Sequence, residues 1–293
     1  MRLTRSLAFV SAVNLGLLPA VARGQSAGKP AVRVQAAVGD VTDNRTTGSF
    51  FSECKVEVKF TGDAAADAAT VRRVRLTEAV DEVGRDLRPE GGEETSSGFF
   101  SPGHSSGALK TEVKLKNPSR NATVIKTLKG EADLFHPTEA NGGILRIKNV
   151  LSHPAEPIQN PALKKYGVEI MYLTKESYEA KKKEIEAQQK SNAGSQLGAA
   201  FGEIFQGMFG GMVSSSKDSI QMYVKDPDKR VVDLEFQDAQ GQPLKTNGRM
   251  SSSEFHRTDL RAPPPADTQL VIQLAVPEAV KTCSFELHDI PLP

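Results

Sequence analysis

The chain has 293 residues, with 37 basic against 36 acidic side chains and a formal net charge of +1. That balance excludes the concentrated basic surface that phosphate backbones select, so no nucleic acid partner is expected. The length accommodates one large domain or two ordinary ones.

Residues 1–24 read as a secretory signal peptide. Arg2 and Arg5 form a positive start, an apolar run extends from Leu7 to Val21, and Ala20-Val21-Ala22 places small residues at the spacing of a signal peptidase site. Asn14 and Pro19 interrupt the run, which falls short of the about 20 apolar residues that a spanning helix needs. The expectation is an exported chain, periplasmic or extracellular, with no transmembrane segment.

Apolar residues then alternate at Val32, Val34 and Ala36, and again at Cys54, Val56, Val58 and Phe60. Period two predicts strands with every second side chain facing inward. Between them, Asp40, Asp43 and Asn44 read as a solvated turn, because the glycine and terminal glutamate of a calcium loop are missing. Asp81-x-x-Gly84 reads as a tight turn between the strand at 74–76 and Leu87, with Asp bonding nearby backbone and Gly supplying positive φ. Gly103-His104-Ser105-Ser106-Gly107 matches the G-x-S-x-G of serine hydrolases. That chemistry needs a strand before the serine and a helix after it, whereas the flanks here are Gly/Ser-rich loop. Val113-Lys114-Leu115 precedes Pro118, and residues 143–151 read as the last strand of a first half.

The second half repeats the first. Asp238-x-x-Gly241-x-x-Leu244 matches Asp81-x-x-Gly84-x-x-Leu87; Ser252-Ser253-Glu254-Phe255 matches Ser96-Ser97-Gly98-Phe99. Leu274-x-x-Pro277 matches Leu115-x-x-Pro118, and Leu287 matches Leu128. The matched pairs are separated by nearly the same number of residues, the signature of an internal duplication at domain length. The expected fold is mainly β: two tandem antiparallel sandwiches, 31–158 and 159–293, each closed by the Phe of its Ser-Ser-x-Phe segment. Short alternating strands separated by Gly, Pro and Asp argue for a sandwich. The pattern resembles the immunoglobulin or fibronectin type III-like modules of secreted bacterial proteins at the level of architecture, which implies no particular activity. If Cys54 and Cys283 belong to separate cores they cannot come within bridging distance; buried free thiols are the default expectation and a disulfide the alternative.

A helical insertion, 174–217, interrupts the second repeat. Thr174 is placed to cap a helix over 175–190 whose only large apolar residues are Tyr178 and Ile185. A second helical pattern follows, with Leu197, Phe201, Phe205, Met208 and Met212 on one stripe and Gly198-x-x-x-Gly202 beside it. Two readings of 194–213 stand together. The stripe covers the second sandwich, or it docks to a protein partner, a second copy or a membrane surface.

His104, His136, His153, His256 and His288 are scattered singly, and neither they nor the cysteines adopt a zinc-ligand spacing. No catalytic, metal or cofactor residues are therefore assigned. The leading expectation is an exported, non-catalytic interaction or structural module. The alternative is a protein that binds a glycan or small apolar ligand between its halves, and third is a hydrolase acting through Ser105.

Overall fold

The computed structural model describes residues 34–46, 52–90, 95–96, 109–192, 218–252 and 254–293. The signal segment, Ser105 with its Gly/Ser loop, and the stripe Leu197, Phe201, Phe205, Met208 and Met212 all lie outside the described residues.

The fold is mainly β, as expected. The first half supplies β1 (Gln35–Asn44), β2 (Glu53–Thr61), β3 (Thr70–Asp81), β4 (Thr95–Ser96), β5 (Leu109–Leu115), β6 (Val124–Phe135) and β7 (Ile144–Ile147). A short helix α1 (Asp63–Ala66) precedes β3 and α2 (Pro161–Lys165) follows β7. Next come β8 (Glu169–Leu173), the helix α3 (Lys175–Asn192), β9 (Ser219–Lys225) and β10 (Val231–Gln237). The chain closes with β11 (Thr246–Ser252), β12 (Phe255–Leu260), β13 (Gln269–Leu274) and β14 (Val280–Pro291).

These strands form four sheets, ordered β1-β2-β5, β14-β6-β3-β4, β10-β13-β7 and β11-β12-β9-β8, and every named pairing is antiparallel. The first two enclose one apolar core, from Cys54, Val56, Val58 and Phe60 on β2 to Phe285 and Ile290 on β14. The other two enclose a second core that includes Ile220 and Met222 on β9, Leu234 and Phe236 on β10, and Leu270, Ile272 and Leu274 on β13. Val32–Pro293 is a single compact unit.

The expected boundary at 158/159 does not divide these cores. β7, which follows β6 in sequence, pairs with β13 from Leu270↔Ile147 to Gln273↔Ile144. β14, which follows β13, pairs instead with β6 from Val280↔Phe135 to Pro291↔Val124. Each half thus gives its last strand to the other. Strand length accounts for the choice. β6 and β14 both have 12 residues, whereas β13 has 6 and β7 only 4, so pairing long with long leaves fewest backbone groups without partners. The two crossing connections are tied together by His136 N donating to Ala279 O (2.7 Å) and Leu274 N donating to Gly143 O (2.9 Å).

The exchange corrects two expectations. Cys54 and Cys283 share one core, yet both are free and buried. Phe60, six residues from Cys54, meets the Phe285 ring at 5.7 Å, and Phe285 lies two residues from Cys283. At about 3.3 Å per residue the sulfurs are separated by about 13 Å or more along the strands, too far for a bridge. The matches of Leu115 with Leu274 and of Leu128 with Leu287 also join strands in different places. β5 is the edge neighbour of β2, whereas β13 lies between β10 and β7.

The two Asp-x-x-Gly turns agree bond for bond. Asp81 Oδ1 accepts from Val83 N (3.1 Å) and Arg85 N (2.8 Å), and Gly84 N donates to Asp81 O (3.1 Å). Asp238 Oδ1 accepts from Gln240 N (2.9 Å) and Gln242 N (2.8 Å), and Gly241 N donates to Asp238 O (3.0 Å). Gly84 and Gly241 have φ of 85° and 79°, the left-handed region that favours glycine.

Candidate functional site

The described feature least explained by packing alone is the outer face of the sheet β11-β12-β9-β8, with α3 lying across it. Thr174 caps α3 as expected, its Oγ1 accepting from Ser177 N at 3.3 Å. One turn on, Tyr178 turns down onto the sheet and meets the Phe255 ring at 5.0 Å, and Phe255 in turn meets Tyr223 at 5.7 Å. Met171 and Leu173 on β8 complete this small cluster, with Ile185 packed against it. Lys181 lays its ammonium 4.9 Å from the centre of the Tyr223 ring. A helix whose apolar residues are few is therefore held by two anchors and a cation over a ring. Phe255, expected to close an open end of its sandwich, instead lies beneath α3 on the outer face.

Polar groups are buried in the same place. Arg257 and Asp259 occur two apart on β12 and so share a face, with Arg257 Nε 2.7 Å from Asp259 Oδ1. Gln221 on β9 lies opposite Arg257 and, on its other side, opposite Leu173. Tyr178, Gln221 and Arg257 are 4%, 7% and 7% exposed. The Tyr178 hydroxyl and Gln221 Oε1 have no hydrogen-bond partner among the described residues. An unmet buried polar atom costs about 1–3 kcal/mol. Tyr178→Phe, which deletes one such atom and keeps the ring, is expected to stabilise the protein by about 1 kcal/mol in urea unfolding.

Chemically the face is quiet. Burial raises the phenol pKa of Tyr178, opposed by the Arg257 charge, and burial likewise raises that of Tyr223. Both hydroxyls stay protonated at neutral pH. Burial also shifts other groups among the described residues. Burial pushes the Cys54 and Cys283 thiols up to about 11, leaving almost no thiolate, the reactive form. Burial pushes His256 down to about 4 and also lowers His136, which keeps both rings neutral.

The remaining sequence candidates are occupied in ordinary ways. Asp40, Asp43 and Asn44 belong to β1, not to a turn. Asp43 accepts from Arg45 and from Asn117 Nδ2 (2.6 Å), while Asn117 also donates to Asn44 O (2.8 Å). Glu82 accepts from Thr123 N and Thr123 Oγ1. Among the described residues no group of three or more His, Cys, Asp or Glu side chains is placed to hold a metal, and no helix is long and apolar enough to cross a membrane. The buried Gln221–Arg257 pair was not singled out by sequence, because a polar residue within an alternating strand gives no sign of a helix covering its outward face. No family model, curated protein or solved structure matches the chain.

Proposed function

We propose that this is an exported, non-catalytic interaction or structural module, made of two immunoglobulin-like sandwiches that arose by duplication and exchange their last strands. What supports the non-catalytic part is the burial of Cys54, Cys283, Tyr178 and Tyr223. Burial raises these thiols and phenols and holds them in their protonated, less reactive forms.

Strand order supports the sandwich reading. With β1, β2, β3, β4, β5 and β6 as strands A, B, C, C′, E and F, and β14 as G, the sheets are A-B-E and G-F-C-C′. With β8, β9, β10, β11, β12 and β13 as A to F, and β7 as G, they are A-B-E-D and C-F-G, the order of an immunoglobulin constant-type domain. The matched turns of Asp81 and Asp238 both follow strand C, which supports duplication. Fold does not fix function, so the step to protein–protein contact rests on architecture.

On this reading the two-sandwich body is a rigid platform, and α3 opens an insertion between strands A and B of the second sandwich. The apolar stripe of 194–213 is the sequence's docking element for a partner or a second copy. Light scattering on the mature chain, with and without 194–213, tests it. An oligomer that becomes a folded monomer on deletion is expected; folded monomers in both cases remove self-assembly.

A further inference from the structure

We infer that the first core closes only when residues 280–291 are available, so that a chain delivered N-terminus first stays open upstream until its second half has been made. β14 is not a dispensable edge. It contributes Cys283, Phe285, Leu287 and Ile290 to the inner face, and the first, second and last of these are at most 5% exposed. Phe285 packs edge-on against Phe60 of the opposite sheet, and a Cβ on Gly130 would lie 3.0 Å from its ring and 2.5 Å from the Arg75 carbonyl of β3. Gly130 thus leaves room for both the ring and the neighbouring strand.

The outer face is fastened as well. Thr282 Oγ1 donates to Asp133 Oδ1 (2.7 Å), Lys129 pairs with Glu286 (3.0 Å) and Lys126 with Asp289 (2.7 Å). Past the strand, Leu292 N donates to Thr123 O (2.8 Å).

Among the described strands, no nearer one is free to take this place. β7 follows β6 closely, but its 4 residues cover a third of the 12-residue edge and are already paired with β13. The second core has no such delay, since β7 precedes all its other strands and the pairing is complete once β13 exists. The order imposed by topology is therefore second core first, first core last. For a polypeptide threaded through an export channel, this keeps the leading half extended. That consequence rests on the export reading of residues 1–24; the coupling of β14 to the first core does not.

Native-state hydrogen exchange on the mature full-length chain, across sub-denaturing urea, tests the coupling alone. Amides of β14, β6, β3 and β2 are expected to merge on one unfolding isotherm, distinct from that of β9, β12 and β13. If β14 opens at lower urea while β2, β3 and β6 keep their protection, the inference is wrong. A second variant, Phe285→Ala, empties the place against Phe60 and Gly130 that the ring fills. Protection in β2, β3 and β6 should fall at least 100-fold while β9, β12 and β13 retain theirs, and a synthetic 280–293 peptide should restore the loss. Protection retained in the first core, or lost equally in both, overturns the proposal.

Discussion

Asp81→Ala is expected to destabilise the protein by about 3–5 kcal/mol, several times the effect of the same change at the matching turn, Asp238→Ala. The two turns carry the same local bonds, but their surroundings differ. Asp81 is 2% exposed, and its second oxygen reaches out of the turn to accept from Ser119 N at 2.9 Å. Removing the carboxylate strands three backbone amides, those of Val83, Arg85 and Ser119, at about 1–3 kcal/mol for each that stays dry. Asp238 is half-buried and serves only the two amides of its own turn, Gln240 and Gln242, through bonds that lie at the surface, so its loss should cost about 1 kcal/mol. Urea unfolding of both variants checks the ratio; equal losses would mean that the Ser119 contact contributes nothing.

Asp81 also predicts a pH effect. Burial pushes its pKa up, but the hydrogen bonds from Ser119, Arg85 and Val83 outweigh this and leave it below the usual carboxylate value. The stabilisation is fully present above the unfolded value, about 3.9, and is lost only as the pH falls through the lower folded one.

The turns illustrate what was legible in the sequence. An Asp-x-x-Gly turn closes through bonds two to four residues long, so its geometry is written in its own residues. The same holds for α3, where Thr174 and the strong helix formers after it set the start and the course. The strand exchange is another matter. Which strand closes β6 is a competition between β7 and β14, and it is decided by the length of edge each can cover, more than a hundred residues apart for the winner. Reading the repeats as separable halves concealed that competition and placed Cys54 and Cys283 in different cores. Repeat matching failed at the same point. The bonds of the two turns agree, whereas Leu115 and Leu274 lie on strands in different places of their sheets, β5 at an edge and β13 in the middle. The candidate face under α3 was half legible: Tyr178 and Ile185 marked the side of the helix that packs, but nothing marked Gln221 and Arg257 as its floor.

Between pH 6.5 and about 4 the protein is expected to lose roughly 3 kcal/mol of stability through His256 alone. His256 sits on β12 opposite Met222, a residue of the second core, and burial is what lowers its pKa to about 4. The sign follows from proton counting. In the unfolded chain the ring charges as the pH drops through about 6.5, while in the folded protein it stays neutral until about 4. Over that window the unfolded state holds more protons, so stability rises with pH and falls with acid, by up to about 1.4 kcal/mol per pH unit. Below about pH 4 both states carry the charge and this contribution levels off, where the loss from Asp81 takes over. His136, lowered by burial and by Lys281, adds to the slope in the same sense. Urea midpoints at pH 7, 6, 5 and 4.5 for the natural chain and for His256→Gln separate the two histidines. The variant should flatten most of the decline and leave the remainder that His136 supplies. Parallel curves would mean that the folded protein admits the charge on His256 as readily as water does, and hence that this part of β12 opens without unfolding the second core.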